Sequence, residues 1–201
     1  MKRILLSVTV LILTIAMLAG CGTINLPANL QDSIKEGLQE GLEQASSTPK
    51  ESAPEKVQTI TSDFSSISVD FPESWKTENL NDVATIQMAR IAKEQYMIVI
   101  EEESVDFSDD FSVGDYADII RTSMETVIET PEATEITDSV VGGVAAKQFE
   151  LSGSVNKIKV TYFITCVEND GMFHQFTAWS LQSKYDEAKP VFESILESVV
   201  F

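Results

Sequence analysis

The sequence predicts an α+β domain built on an antiparallel β-sheet flanked by helices. Three observations point to that class. Ile158, Val160, Tyr162, Ile164 and Cys166 alternate with their neighbours, so they share one face of a long strand. Gly142-Gly143 and Asn169-Asp170-Gly171 are turn signals at hairpin spacing. Two segments carry apolar stripes with helical periodicity: Val113, Tyr116, Ile120, Met124 and Val127, then Ala188, Phe192, Ile195 and Val199. Strands grouped as hairpins, with helices between and after them, belong to α+β architecture rather than to a parallel sheet.

Order is expected to begin near Phe64. Ile67, Val69 and Phe71 alternate with polar residues as a strand, which Pro72 stops, and Trp75 follows. Val83 to Ile91 and Tyr96 to Glu102 read as two more strands. Ser112-Val113-Gly114-Asp115 has capping-box form and starts the first helix, because the hydroxyl accepts from a free amide and the acid reaches back. Thr130-Pro131 ends it, since proline disfavours helical geometry in the residue before it. Gly142-Gly143 supplies positive φ for a tight turn between strands. Lys157 to Val167 forms a strand, and Met172 to Ser180 returns antiparallel to it. On that last strand Phe173 and Trp179 face one way and Phe176 the other, so the sheet should be covered on both sides. The second helix runs from about Asp186 to Val199, and Pro190 is tolerable only near its first turn.

The 201 residues include 14 basic and 32 acidic side chains. That excess of carboxylates repels phosphates and anionic headgroups, so nucleic acid is not an expected partner. Solubility alone accounts for such a charge, while cationic proteins or metal ions are partners it would suit.

The N-terminus is more specific. Met1-Lys2-Arg3 is a basic start, Ile4 to Met17 is an apolar run broken only by Ser7, Thr9 and Thr14, and Leu18-Ala19-Gly20-Cys21 follows. A spanning helix needs about 20 apolar residues, whereas Ile4 to Ala19 is 16 residues long. The pattern reads as a cleaved signal. It resembles the signal peptide and lipobox of bacterial lipoproteins. That resemblance implies a signal peptide over residues 1–20, cleavage after Gly20, and diacylglycerol on Cys21 with acyl chains such as palmitate. The mature chain loses Lys2 and Arg3 and so carries 12 basic against 32 acidic groups, a formal charge of −20.

Residues 21–62 are expected to be the lipidated cysteine and a polar tether, broken by Ser46-Ser47-Thr48-Pro49 and Ala53-Pro54, with no aromatic residue before Phe64. A flexible chain of that length would span about 35 Å root-mean-square. Leu30, Ile34, Leu38 and Leu42 recur every four residues and mark a short helix, weakened by Gly37 and Gly41. Residues 63–201 form the domain.

The order Ile67-Ser-Val-Asp-Phe71-Pro72-Glu-Ser-Trp75, a mid-chain helix, Thr161-Tyr162-Phe163-Ile164-Thr165, an aromatic strand ending Ala178-Trp179-Ser180, and a last helix ending in Phe201 resembles the PsbP-like superfamily. That superfamily includes bacterial lipoproteins with a domain of unknown function. The resemblance covers about residues 63–201. It implies an α-β-α sandwich and a non-catalytic binding or assembly role, without naming a partner.

No catalytic pattern accompanies it. His174 is the only histidine and falls mid-strand, where a core or edge position explains it. Once Cys21 is lipidated, Cys166 is left without a disulfide partner and suits a small buried hydrophobe. There is no Gly-x-Ser-x-Gly elbow, no phosphate loop and no zinc-ligand spacing. Glu101-Glu102-Glu103 and Asp106, Asp109, Asp110 and Asp115 supply oxygens of the type calcium takes, but their spacing is not that of an EF-hand loop. Acids also gather at helix N-termini because the dipole favours them.

The expectation is therefore a lipid-anchored protein on the extracytoplasmic face of the cell membrane. It requires no cofactor, is not an enzyme, and binds an envelope protein partner. In a bacterium with two membranes, Gly22 stands where the aspartate of inner-membrane retention would be, so the outer membrane is the expected site. The alternative is a lipoprotein that captures a small molecule or cation, and an envelope enzyme ranks last.

Overall fold

The computed structural model describes residues 55–201. The expected signal segment, Cys21, the four-residue repeat of Leu30 to Leu42 and the rest of the expected tether up to residue 54 lie outside the described residues. In chain order the elements are β1 (Val57–Thr61), β2 (Ser68–Pro72), β3 (Lys76–Thr77), β4 (Ile86–Arg90), β5 (Gln95–Glu103), α1 (Val113–Val127), β6 (Glu129–Ala133), β7 (Thr137–Val141), β8 (Val144–Val155), β9 (Ile158–Asn169), β10 (Met172–Leu181) and α2 (Tyr185–Glu197). Eight strands form one sheet in the order β3-β4-β5-β10-β9-β8-β6, with β7 also paired to β8. β1 and β2 make a separate two-stranded sheet. Every pairing is antiparallel.

Alternation along β9 and β10 divides the core into two layers. Ile164 and Cys166 of β9, and Phe173 and Trp179 of β10, pack with Tyr116 and Ala117 of α1. Phe163, Val167, Phe176 and Ala178 face the other way, onto Phe192 and Ile195 of α2 and onto Val69 and Phe71 of β2. The helices thus lie on opposite faces of the sheet, and the two-sided burial expected from Phe173 and Phe176 is present. Among the described residues no helix is long and apolar enough to cross a membrane.

The turns follow their residue types. Gly142 and Gly143 have φ of 55° and 82° and join β7 to β8 at the pair Val141–Val144. Asp170 and Gly171 do the same between β9 and β10. The third hairpin turn, Asn156-Lys157, also has both residues at positive φ, so the strand expected from Lys157 starts at Ile158. Asparagine tolerates that region and lysine pays a steric cost there. The capping box forms: the Asp115 amide donates to Ser112 Oγ at 3.2 Å, and the Ser112 amide donates to Asp115 Oδ2 at 2.9 Å. Ser112→Ala should lower stability by about 1 kcal/mol. A urea midpoint unchanged by that substitution would mean the cap carries no weight.

Five details differ from the periodicity. Order starts earlier, at β1, inside the stretch read as tether. β1 buries no side chain fully, so hydropathy does not reveal it; pairing with β2 and the Gln58 amide, donating to Trp75 O at 2.7 Å, hold it. The strand expected over residues 83–91 is confined to β4, because Asn81 Oδ1 accepts from the Val83 and Ala84 amides and bends the chain there. Val127 is half exposed, and Ile128, where the chain turns extended, takes the buried place. After that cap the chain continues as β6, an edge strand whose register slips between Glu129 and Glu132, around Pro131. A bulged edge is where a strand can hold a residue with no N–H to give. Pro190 sits past the first turn of α2, so the carbonyl four residues earlier lacks its helical donor.

Candidate functional site

The alternation of β5 decides where its acids point. Glu101 has the same parity as Met97 and Val99, which lie in the α2-side core, and its side chain is fully buried. Opposite it in register on β10 is His174, only 1 % exposed. His174 Nδ1 stands 3.3 Å from Glu101 Oε1. That is close contact, and the imidazole is the first of the groups that favour the charged carboxylate. The firm bonds come from the loop between β1 and β2: Ser62 Oγ donates to Oε2 and Ser65 Oγ to Oε1. Burial alone would raise the Glu101 carboxyl. His174, Ser62, Ser65 and Thr85 outweigh it and hold the group down at about 2. The ring of Phe201 meets the His174 ring edge-on at 5.1 Å.

This cluster joins an acid, an imidazole and two hydroxyls, the residue types of acid–base and nucleophilic chemistry. Its connectivity differs from a nucleophile relay. Both serines bond to the carboxylate, and no hydrogen bond links either to the imidazole, so the carboxylate is the hub. His174 holds the core position that its mid-strand place suggests. Glu101 and the serines were invisible as a group in the sequence. The available signal was the Met97, Val99, Glu101 alternation, which puts a carboxylate on an apolar face.

The other acids are spread among separate tasks. Glu102 points to the opposite face, where Tyr116 Oη donates to its Oε2 at 2.6 Å. Burial, then the Glu102 charge, pushes the Tyr116 hydroxyl above its ordinary range. Asp115 completes the cap, and Asp106, Asp109 and Asp110 are exposed. Among the described residues no three side chains of metal-ligating type converge. Cys166 is fully buried, and burial pushes its thiol up, away from the reactive thiolate. A hollow of about 250 Å³ runs along α1 at Asp118, Ile119, Thr122 and Ser123. Another of about 80 Å³ lies at Thr130, Glu132, Ser152, Gly153, Ser154, Lys159 and Gln182. Neither lining includes Glu101 or His174.

No family model matches the sequence, and no curated protein matches it. Solved structures do resemble it. The solution structure of cyanobacterial PsbP (CyanoP) from Synechocystis sp. PCC 6803 aligns at a TM-score of 0.56 with 14% identity, covering 77% of this chain and 97% of that one. LpqN of Mycobacterium tuberculosis, described as involved in cell envelope biogenesis, aligns at 0.53 with 14% identity, covering 72% of this chain and 90% of its own. At such identity the likeness concerns the backbone. The architecture, an antiparallel sheet between two helices, is the PsbP-like α+β fold.

Proposed function

We propose that this protein is a lipoprotein held by Cys21 on the extracytoplasmic face of a bacterial membrane, where its PsbP-like domain serves as a non-catalytic binding or assembly module for an envelope protein. The anchor rests on the basic start, the apolar run and Leu18-Ala19-Gly20-Cys21. The observation that carries the non-catalytic reading is the use made of the chain's one histidine: it is sealed in the core against a carboxylate that two serines already occupy. A general base must reach a substrate proton, and this one faces protein. The likeness to LpqN supports an envelope setting by analogy of fold.

Cys21→Ala tests the anchor. Wild type should incorporate labelled fatty acid and sediment with membranes, whereas Cys21→Ala should take up no label and keep its signal segment. Label retained by the variant would overturn the assignment. In-cell crosslinking should recover the same envelope protein repeatedly with wild type and lose it when the domain is destabilised by Trp75→Ala. Recovery unaffected by that substitution would place binding outside the folded domain.

A further inference from the structure

We infer that β1 is a releasable continuation of the tether and that the buried Glu101 carboxylate is the stop that ends its release. Four observations carry this. β1 pairs with β2 alone and belongs to no part of the eight-stranded sheet. None of its five side chains is fully buried, and only Ile60, partly buried, packs against the core, so detaching it uncovers little of that core. β2 is the opposite case: Val69 and Phe71 are fully buried against α2, and Ser68 also bonds through its backbone to Val200. Between these two strands lies the loop whose Ser62 and Ser65 hydroxyls both end on Glu101.

The order of rupture follows from the chain path. The tether enters at the Val57 end of β1, where Val57 pairs with Pro72. Opening from that end breaks the Gln58 amide bonds to Pro72 O and Trp75 O, then the ladder residue by residue up to Thr61–Ser68. The steps lose backbone bonds and the exposed Thr59–Asp70 and Thr61–Ser68 side-chain bonds, all of which water can replace, together with the partly buried contact of Ile60. At Ser62 the character changes. That residue is 2% exposed, and moving it strips one hydroxyl donor from a buried carboxylate, with the second, on Ser65, next along the chain. Release halts there and β2 is protected. Lys56 to Thr61, once free, lengthens the tether by roughly 20 Å at full extension. The benefit for reach rests on the lipid anchor of the proposed function; the release and its stop do not.

Hydrogen exchange with mass spectrometry on the purified full chain at neutral pH tests this without reference to lipid. The β2-facing amides of residues 57–61 should exchange at least tenfold faster than the amides of Ser68 and Asp70, which donate to Val200 O and Ser198 Oγ rather than to β1, and than those of β9 and β10. The double variant Ser62→Ala/Ser65→Ala keeps Glu101 and His174. It should extend fast exchange through residues 62–67 and leave β9 and β10 unchanged. Residues 57–61 as protected as Ser68 and Asp70 in wild type would overturn the release. Unchanged protection of residues 62–67 in the double variant would overturn the stop, as would protection lost across the whole sheet. Both readouts are independent of the Cys21 labelling experiment, so the anchor and the releasable strand fail separately.

Discussion

Trp75→Ala is expected to destabilise the domain by about 3–5 kcal/mol, the range for truncating a buried large aromatic side chain. Trp75 is fully buried at the corner after β2, 5.6 Å from the Phe71 ring and 6.4 Å edge-on from Phe192 of α2. It ties the two-stranded sheet to the helix, so the cavity left behind would open between elements that cannot slide together freely. For a domain of this size the melting temperature should fall by about 10 °C or more. The indole adds a second, opposing term. Its Nε1 is buried and finds no hydrogen-bond acceptor among the described residues. Such an orphaned donor costs about 1–3 kcal/mol. Trp75→Phe removes that donor together with part of the volume, so it should lose less than half of what alanine loses. Denaturant unfolding followed by circular dichroism measures both. Equal losses for the two substitutions would show that ring volume alone matters and that the unpaired indole nitrogen carries no penalty.

The second large effect is expected on acidification. Glu101 has an ordinary value of 4.5 and is held at about 2 in the folded chain. A carboxyl depressed on folding adds stability that is fully present above its unfolded value and is lost as pH falls through its folded value. The loss should therefore run from about pH 4.5 down to about pH 2, on the order of 3 kcal/mol when complete. Glu101→Gln keeps the shape and removes the titration. The stability gap between wild type and Glu101→Gln should be widest near neutral pH and shrink as pH drops below 4. A gap that stays constant from pH 7 to pH 2.5 would rule out the buried carboxylate as the source.

Legibility from sequence tracks how local the cause is. The cap at Ser112 and Asp115, the Gly142-Gly143 turn and the two-sided alternation of β9 and β10 were readable because each depends on residues a few positions apart. The inner stripe of α2 was readable too: Ala188, Phe192 and Ile195 are buried, as is Val199, although the helix stops at Glu197, short of the expected end. β1 was not, since a strand with a single partly buried apolar residue, Ile60, leaves no hydrophobic period. The turn at Asn156-Lys157 was missed because lysine is a poor guest at positive φ, and asparagine alone is a weak signal. Within the candidate site, His174 was readable as a core histidine. Its companions were not, because Ser62 and Glu101 are separated by 39 residues and nothing in either neighbourhood names the other.

The class of fold, the two helical stripes, the acidic charge and the Leu18-Ala19-Gly20-Cys21 pattern could be read from the chain alone, since all of these are matters of composition or short-range periodicity. Folding is what buries one of three consecutive glutamates while the next bonds a tyrosine on the opposite face. The physical reason is that a strand's pleat assigns faces by parity. What waits on each face is then set by chain that arrives from far away: the β1–β2 loop above Glu101, and α1 beside Glu102.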